Sequence, residues 1–540
     1  MIWLVQDFDL LSVVLRALAL SLEALTVGGV IVLLFVLPRG DAEPAAREAV
    51  RKFVSRFALA LAIIQLLAAA ESTTMLMAGS SNLAFRDIVA ASFFRADCLL
   101  AAAALALFFL ARLGKDWASS LAAAIILIAS TALSHAASRV EARPLLLALT
   151  AAHHLGAAAW IGGLASLLVA IRQTNDPRHI HPMTRRFSRI AMVSVGALVL
   201  AGVGMAWYFI GSWTAMYGTS YGLMVLAKVY LLLLALGLGA CNFWLIRSTR
   251  SDPAPTMIRL RRFSEVEIGL GITALLAAAS ITSQAPAVDL TSQDLLSRHE
   301  IVERMSWKTP GFHSPKVSEL PKAAPLKVHL EDESFSGGSQ DPDIARKWSE
   351  YNHRWAGLIV LATGLLALVS RFKGQRWARN WPLLFIGLAI FIVVRADADA
   401  WPLGPRSFWA TFAESDVLQH RLYAFLIVCF AVFEWAVETG RFSSEKAALV
   451  FPALCAAGGA LLLTHTHATG NIRDELYAEM SHTPVALLGA TAGWGRWLEL
   501  RSGHDNSSPD RRSAVIKVAS WIWPLCLILV GLILLNYRES

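Results

Sequence analysis

The sequence predicts an all-α fold, a polytopic transmembrane helical bundle of about 14 spans with both termini on the periplasmic side, and three observations carry that reading. Of 540 residues, 56% are hydrophobic and only 16% are charged, and the mean hydropathy is +0.53, a balance that soluble domains rarely reach. Apolar runs long enough to cross about 30 Å of hydrocarbon recur along the whole chain. They are continuous rather than alternating, which excludes a β-barrel. The basic residues behind the formal charge of +8 sit in short connections between those runs. The excess charge therefore reports membrane orientation and implies no nucleic-acid partner.

In chain order, spans are expected near 11–37, 53–77, 88–110, 117–137, 145–171, 187–211, 222–246 and 263–284. A second series is expected near 354–370, 381–395, 418–437, 447–467, 482–500 and 518–537. The loops orient them. Arg39, Arg47, Arg51 and Lys52 follow the first span; Arg172, Arg178, Arg185, Arg186 and Arg189 lie between the fifth and sixth. Arg247, Arg250, Arg259, Arg261 and Arg262 separate the seventh and eighth, and Arg371, Lys373, Arg376 and Arg379 follow the ninth. Arg501, Arg511, Arg512 and Lys517 precede the last span. These odd-to-even connections face the cytoplasm by the positive-inside rule, whereas "GSWTAMYGTSYG" on the other side has no basic residue.

Three regions follow: a membrane domain over 1–285, a loop or linker over 286–350 and a six-helix membrane domain over 351–540. The linker holds Pro286, Pro310, Pro315, Pro321, Pro325 and Pro342 with "SFSGGSQDPD", a composition that resists a compact core. The N-terminus lacks a basic n-region and a small-residue cleavage site, so it reads as a retained first span. Cys98, Cys241, Cys429, Cys455 and Cys526 stand singly in apolar stretches, which signals neither a disulfide framework nor a thiolate site. No Walker A or DKTG motif occurs, so nothing points to ATP.

Sorted by this topology, the histidines fall on one side. His135, His153, His154, His353, His420, His465, His467 and His482 all lie at or just below the outer surface, and only His179, His181 and His504 fall in inner loops. Ionisable groups in a membrane are costly and face a bundle interior or a polar cavity. Imidazole is also the commonest metal-binding side chain and suits copper. A histidine at a helix end equally serves as a hydrogen-bonding or headgroup residue; shared depth is what favours a metal or haem site. Met75 and Met77 at the outer end of the second span add soft thioethers that favour Cu(I), though methionine also serves as ordinary packing. The loop 395–420 sets Asp397, Asp399, Glu414 and Asp416 against Arg395 and Arg406, a net of about −2 that attracts cations modestly. Glu71 and Asp97 can contribute charge nearby, with Arg95 as the simplest neutralising partner of Asp97.

Helical geometry limits how these groups combine. Successive residues differ by about 100°, so His153 and His154 cannot both face one seam. His465 and His467 lie on opposite faces unless the helix unwinds around Thr466.

The stretches "LSHAAS", "HHLGAAAWIGGLASLLVA", "RRFSRIAMVSVGALVLAGVGMAWYFIGSW", "YGLMVLAKVYLLLLALGLGACN" and "LRRFSEVEIGLGITALLAAASITSQAP" resemble the copper-resistance protein D (CopD) family in order over about 1–285. The later "EYNHRWAGL", "LQHRLY", "LTHTHATGN" and "SHTPVALLGATAGWGRWLELR" look like the C-terminal extension of long members. The resemblance implies a multi-pass protein of the bacterial inner (plasma) membrane that handles copper ions. It implies a periplasmic CopC-like partner, supplied separately because no such domain is fused here. It also places His135, His153 or His154, and Trp160 with Gly162 and Gly163 on the family's helix-four and helix-five motif. "LSHA" followed by His153 further parallels "LTHTHA" followed by His482, a distant internal repeat of the kind transporters use.

The reading is a non-enzymatic copper transport or copper-binding protein that is not driven by ATP. Two alternatives stand beside it: a membrane redox protein holding haem b between histidines of facing helices, and a scaffold for copper-enzyme assembly. A Soret band separates the first from copper transport; loss of oxidase activity without altered copper flux marks the second.

Overall fold

A computed structural model describes residues 8–38, 43–79, 85–174, 177–248, 253–314, 342–397, 400–404, 407–411, 415–464, 472–503 and 514–538. It is helical, with no strand among the described residues. The principal helices are α1 Phe8–Ile31, α2 Pro44–Gly79, α3 Ser92–Arg112 and α4 Asp116–Ala132, then α5 Arg143–Gln173, α6 Pro177–Phe209, α7 Ser220–Ser248 and α8 Pro253–Ile281. There follow α9 Pro342–Val369, α10 Leu384–Arg395, α11 Ser415–Glu438, α12 Val450–Leu462, α13 Ile472–Gly503 and α14 Ala514–Leu535. Each expected span falls on one of them. Twelve of the described helices are long and apolar enough to cross a membrane. Helix α4, with 17 residues, is shorter than that. Helix α13 is long, but "IRDELYAEMSH" and "RWLELR" make both its ends polar.

The chain divides into two compact units: Met1–Leu296 with Ala460–Glu475, and Ser297–Gly459 with Leu476–Ser540. In the first unit, Val50, Val54, Ala58 and Leu61 of α2 pack with Leu100, Ala104 and Leu107 of α3, Ile126 of α4 and Ile171 of α5. Lipid tails are as apolar as these side chains, so association between helices rests on close van der Waals fit, which small residues permit. The closest approach joins α1 to α5. A Cβ on Gly28 would lie 2.2 Å from the Ala158 carbonyl oxygen, and one on Gly162 would lie 1.8 Å from that of Ala24. At that crossing α5 contains a π-helical turn, Ala158–Gly162, and α1 ends in another, Val32–Val36. Such turns re-register a helix face and recur at functional sites. On the basic-loop side, Asp116 at the start of α4 accepts from Arg47 at 2.6 Å and Arg51 at 2.9 Å, tying α2 to α4.

In the second unit the seam is between α9 and α14. Gly357 meets the Leu535 backbone nitrogen, Gly364 that of Ile528, and Gly531 that of Leu361, so no side chain separates the helices there. Trp381, Phe451 and Trp523 fill the adjoining core with ring centroids 5.2–5.6 Å apart. Around Trp523, Glu499 accepts from Arg371 and from Arg496 Nη1 at 2.8 Å, and Arg496 Nη2 reaches Glu438 at 2.5 Å. Such a shared network is how a bundle keeps buried charges.

The stretch after α8 is not uniformly loose. It carries a 3₁₀ turn at Ala287–Asp289, which Arg139 grips through both carboxylate oxygens at 2.8 and 2.7 Å. It also carries a helix, Arg298–Met305, closed by a Ser297/Glu300 capping box. Residues 342–350 belong to α9.

Candidate functional site

A carboxylate in the middle of an apolar helix needs a partner, because burying it unpaired costs several kcal/mol or neutralises it. Glu23 of α1 is such a group, only 4% exposed. Its Oε2 accepts from the Ser130 hydroxyl of α4 at 2.6 Å, and its Oε1 lies 3.3 Å from Nδ1 of His154 on α5. Ser130 Oγ also lies 3.4 Å from that nitrogen. Three helices thus converge on one carboxylate. Since Glu23 accepts, His154 donates through Nδ1–H, and in the neutral imidazole Nε2 carries the lone pair.

The neighbouring imidazole turns elsewhere, as the helical step demands. His153 Nδ1 donates to the Leu198 carbonyl of α6 at 3.1 Å, and its ring lies over Gly202. Lys228 of α7 bears on it electrostatically. His135 opens a short helix, His135–Ser138, and its Nε2 donates to the Ile281 carbonyl at 3.1 Å. Phe209 and Tyr221 flank its ring at 6.4 and 6.5 Å. A carbonyl can only accept, so each bond fixes a tautomer and leaves the opposite nitrogen as a lone-pair donor. Anchoring one ring nitrogen on a carbonyl or carboxylate is how proteins orient imidazoles that bind metal.

Three more carboxylates are buried among the described residues of this unit: Glu71 near the end of α2, Asp97 and Glu267. Asp97 of α3 accepts from Gln65 Nε2 of α2 at 2.5 Å, and the cation acting on it is Arg16 of α1, not the neighbouring Arg95. Arg16 also bears electrostatically on Glu23. Glu267 of α8 accepts from Trp160 Nε1 at 2.7 Å and from Asn242 Nδ2 at 3.1 Å. Trp160 stands inside the π-turn of α5, so that turn aims the indole at α8.

The remaining candidates are dispersed. His353 and His482 lie in the second unit with ring centroids 6.3 Å apart. His420 Nδ1 meets Asp397 Oδ1 at 2.7 Å. Met75 is half-buried near the end of α2, and Met77 is 48% exposed. His465, His467, Asp399, Arg406 and Glu414 lie outside the described residues. Among the described residues, no group of three or more His, Cys, Asp or Glu side chains is arranged to hold a metal ion. Sorting histidines by depth missed Glu23, Ser130 and Glu267. For Glu23 and Glu267 the signal was an acid inside an apolar run, as in "LSLEALTV" and "SEVEIGLG"; Ser130 carried no such mark.

Residues 181–281 match the family described as Copper resistance protein D. They cover most of α6 through α8, which carry Leu198, Gly202, Asn242 and Glu267, the surroundings of His153 and Trp160 but not those residues themselves. The chain is 30% identical over 161 residues to "Copper transport protein CutJ" of Bacillus subtilis (strain 168), a stretch spanning 29% of this chain and 28% of that relative. No solved structure matches.

Proposed function

We propose that this chain, which matches the Copper resistance protein D family over residues 181–281 and has twelve described helices long and apolar enough to cross a membrane, is a multi-pass protein of the bacterial inner membrane that moves copper across it. In this reading copper is cargo, taken from the periplasmic side by His135, His153 and His154 and passed into the bundle of the first unit without ATP. The observation that carries the reading is the Glu23–His154–Ser130 cluster. A copper ion arriving at His154 Nε2 adds positive charge to a poorly hydrated interior, and the Glu23 carboxylate behind the imidazole offsets it. Ser130 holds that carboxylate in place. Asp97, which like Glu23 lies within the electrostatic reach of Arg16, supplies a second acidic group in the same bundle. The name of the Bacillus relative agrees with this assignment. Delivery falls to a separate periplasmic copper-binding protein of the CopC kind.

The test is copper accumulation in proteoliposomes containing the full chain, with no nucleotide present. Uptake above that of protein-free vesicles is expected. Absence of both uptake and bound copper would overturn the reading, and a Soret band in the purified protein would reassign the histidines to haem.

A further inference from the structure

We propose that the basic-loop side of the first unit binds one anionic phospholipid, with its phosphate in a recess between α1, α2 and α4 and its acyl chains along α4. The site uses none of the residues assigned to copper, and it stands or falls apart from that reading.

The recess measures about 840 Å³, which is room for a lipid headgroup. The first turns of α2 and the turn that joins α3 to α4 form two of its walls. Leu33 and Leu34, in the π-turn that ends α1, make the third wall apolar. At 17 residues, α4 covers about 26 Å against roughly 30 Å of hydrocarbon. Its first turn therefore lies within reach of lipid headgroups.

The charges in the lining are held in place, and they leave donors to spare. Asp116 accepts from Arg47 at 2.6 Å and from Arg51 Nε and Nη2 at 2.9 and 3.0 Å. Arg51 Nη2 also donates to the Gly114 carbonyl at 3.3 Å. Arg51 Nη1 takes no bond among the described residues, and neither does the ammonium of exposed Lys115 in the same turn. Glu48, the other acid of the lining, pairs with Lys52 at 3.3 Å. Three cations against two carboxylates leave the recess positive. Guanidinium and ammonium groups are the usual phosphate donors, and basic recesses between spans on the cytoplasmic side bind anionic headgroups. Excess positive charge also repels the cationic end of a zwitterionic headgroup.

The surface next to the recess identifies the ligand as a lipid. Trp117, Leu121 and Ile128 of α4 are 73%, 66% and 66% exposed. Steps of four and eleven residues turn a helix by about 40° and 20° from the starting face, so the three share one stripe. That stripe begins at the recess, because Trp117 lines it. Indole rings favour the headgroup boundary. A free phosphate would use the donors alone, whereas a phospholipid uses the donors and the stripe.

The experiment is native mass spectrometry of the purified full chain with phosphatidylglycerol, phosphatidylcholine or inorganic phosphate added. One phosphatidylglycerol should be retained in preference to phosphatidylcholine. Lys115→Gln should weaken its retention about fivefold, the equivalent of the roughly 1 kcal/mol that one basic residue near an anionic surface contributes. Lys373→Gln removes the same charge from another exposed position on the basic-loop side and should leave retention unchanged. Equal losses in the two variants would show diffuse attraction and overturn the site, as would equal retention of the two lipids. Displacement of phosphatidylglycerol by inorganic phosphate at matched concentration would overturn the lipid assignment. Thermal unfolding without lipid checks each variant, and should one fail to fold, the lipid preference of the unmodified chain decides alone.

Discussion

Glu23→Gln probes the cluster proposed above to support copper handling. The substitution keeps the shape of the side chain and one acceptor oxygen but removes the charge. Two bonds are affected: the 2.6 Å contact from Ser130 and the 3.3 Å contact from His154. An amide can accept from one of these partners only by turning its NH₂ towards the other. Loss of such an outer partner lowers metal affinity by about 10–100-fold, which corresponds to about 1.4–2.8 kcal/mol. The fold should tolerate the change, because a buried neutral amide costs less desolvation than a buried carboxylate. Copper affinity is read by chelator competition in detergent, with thermal unfolding recorded on the same samples. A weakened site on an intact fold is expected. Unaltered affinity would show that His154 does not bind copper, or that Glu23 does not support it, and either result refutes the reasoning.

Gly162→Ala sets a methyl group 1.8 Å from the Ala24 carbonyl oxygen, against backbone that cannot step aside. Its cost should reach the upper end of the roughly 1–3 kcal/mol of overpacking, seen as a marked loss of thermal stability. Gly196→Ala, in α6 with nothing within 4 Å of the new methyl, should instead stabilise by about 0.5–1 kcal/mol; equal effects at the two positions would contradict the α1–α5 seam. Trp160→Phe removes the 2.7 Å bond to Glu267 and should cost about 1.5–3 kcal/mol of stability, rescued in part by Glu267→Gln in the same background.

The helices were legible because membrane spans announce themselves through length and continuous apolarity, and every expected span falls on a helix. Helix α13 shows where that signal thins: its ends carry Arg473, Asp474, Glu475, Arg496 and Glu499, and only neighbours such as Arg371 and Glu438 make Arg496 and Glu499 tenable inside a bundle. Apolarity along one helix cannot disclose such partners. The same limit applies to the site. That His153 and His154 part company follows from the helical step alone. That His154 turns to Glu23, 131 residues earlier, depends on how α1, α4 and α5 pack, which no local pattern records. Arg95 was the obvious neighbour for Asp97 in sequence, yet its hydrogen bond comes from Gln65 of another helix, and the cation that bears on it is Arg16 of α1. The π-turn at Ala158–Gly162 was hidden for a related reason: small residues permit it, and the Gly28–Gly162 crossing selects it.

The central claim is that copper passes through the first unit by way of its anchored histidines. The most direct measurement compares copper uptake into proteoliposomes by the unmodified chain and by the His135→Ala, His153→Ala, His154→Ala triple variant, at matched helix content. Uptake should fall to the level of protein-free vesicles in the variant. Uptake and bound copper equal to those of the unmodified chain would contradict the account.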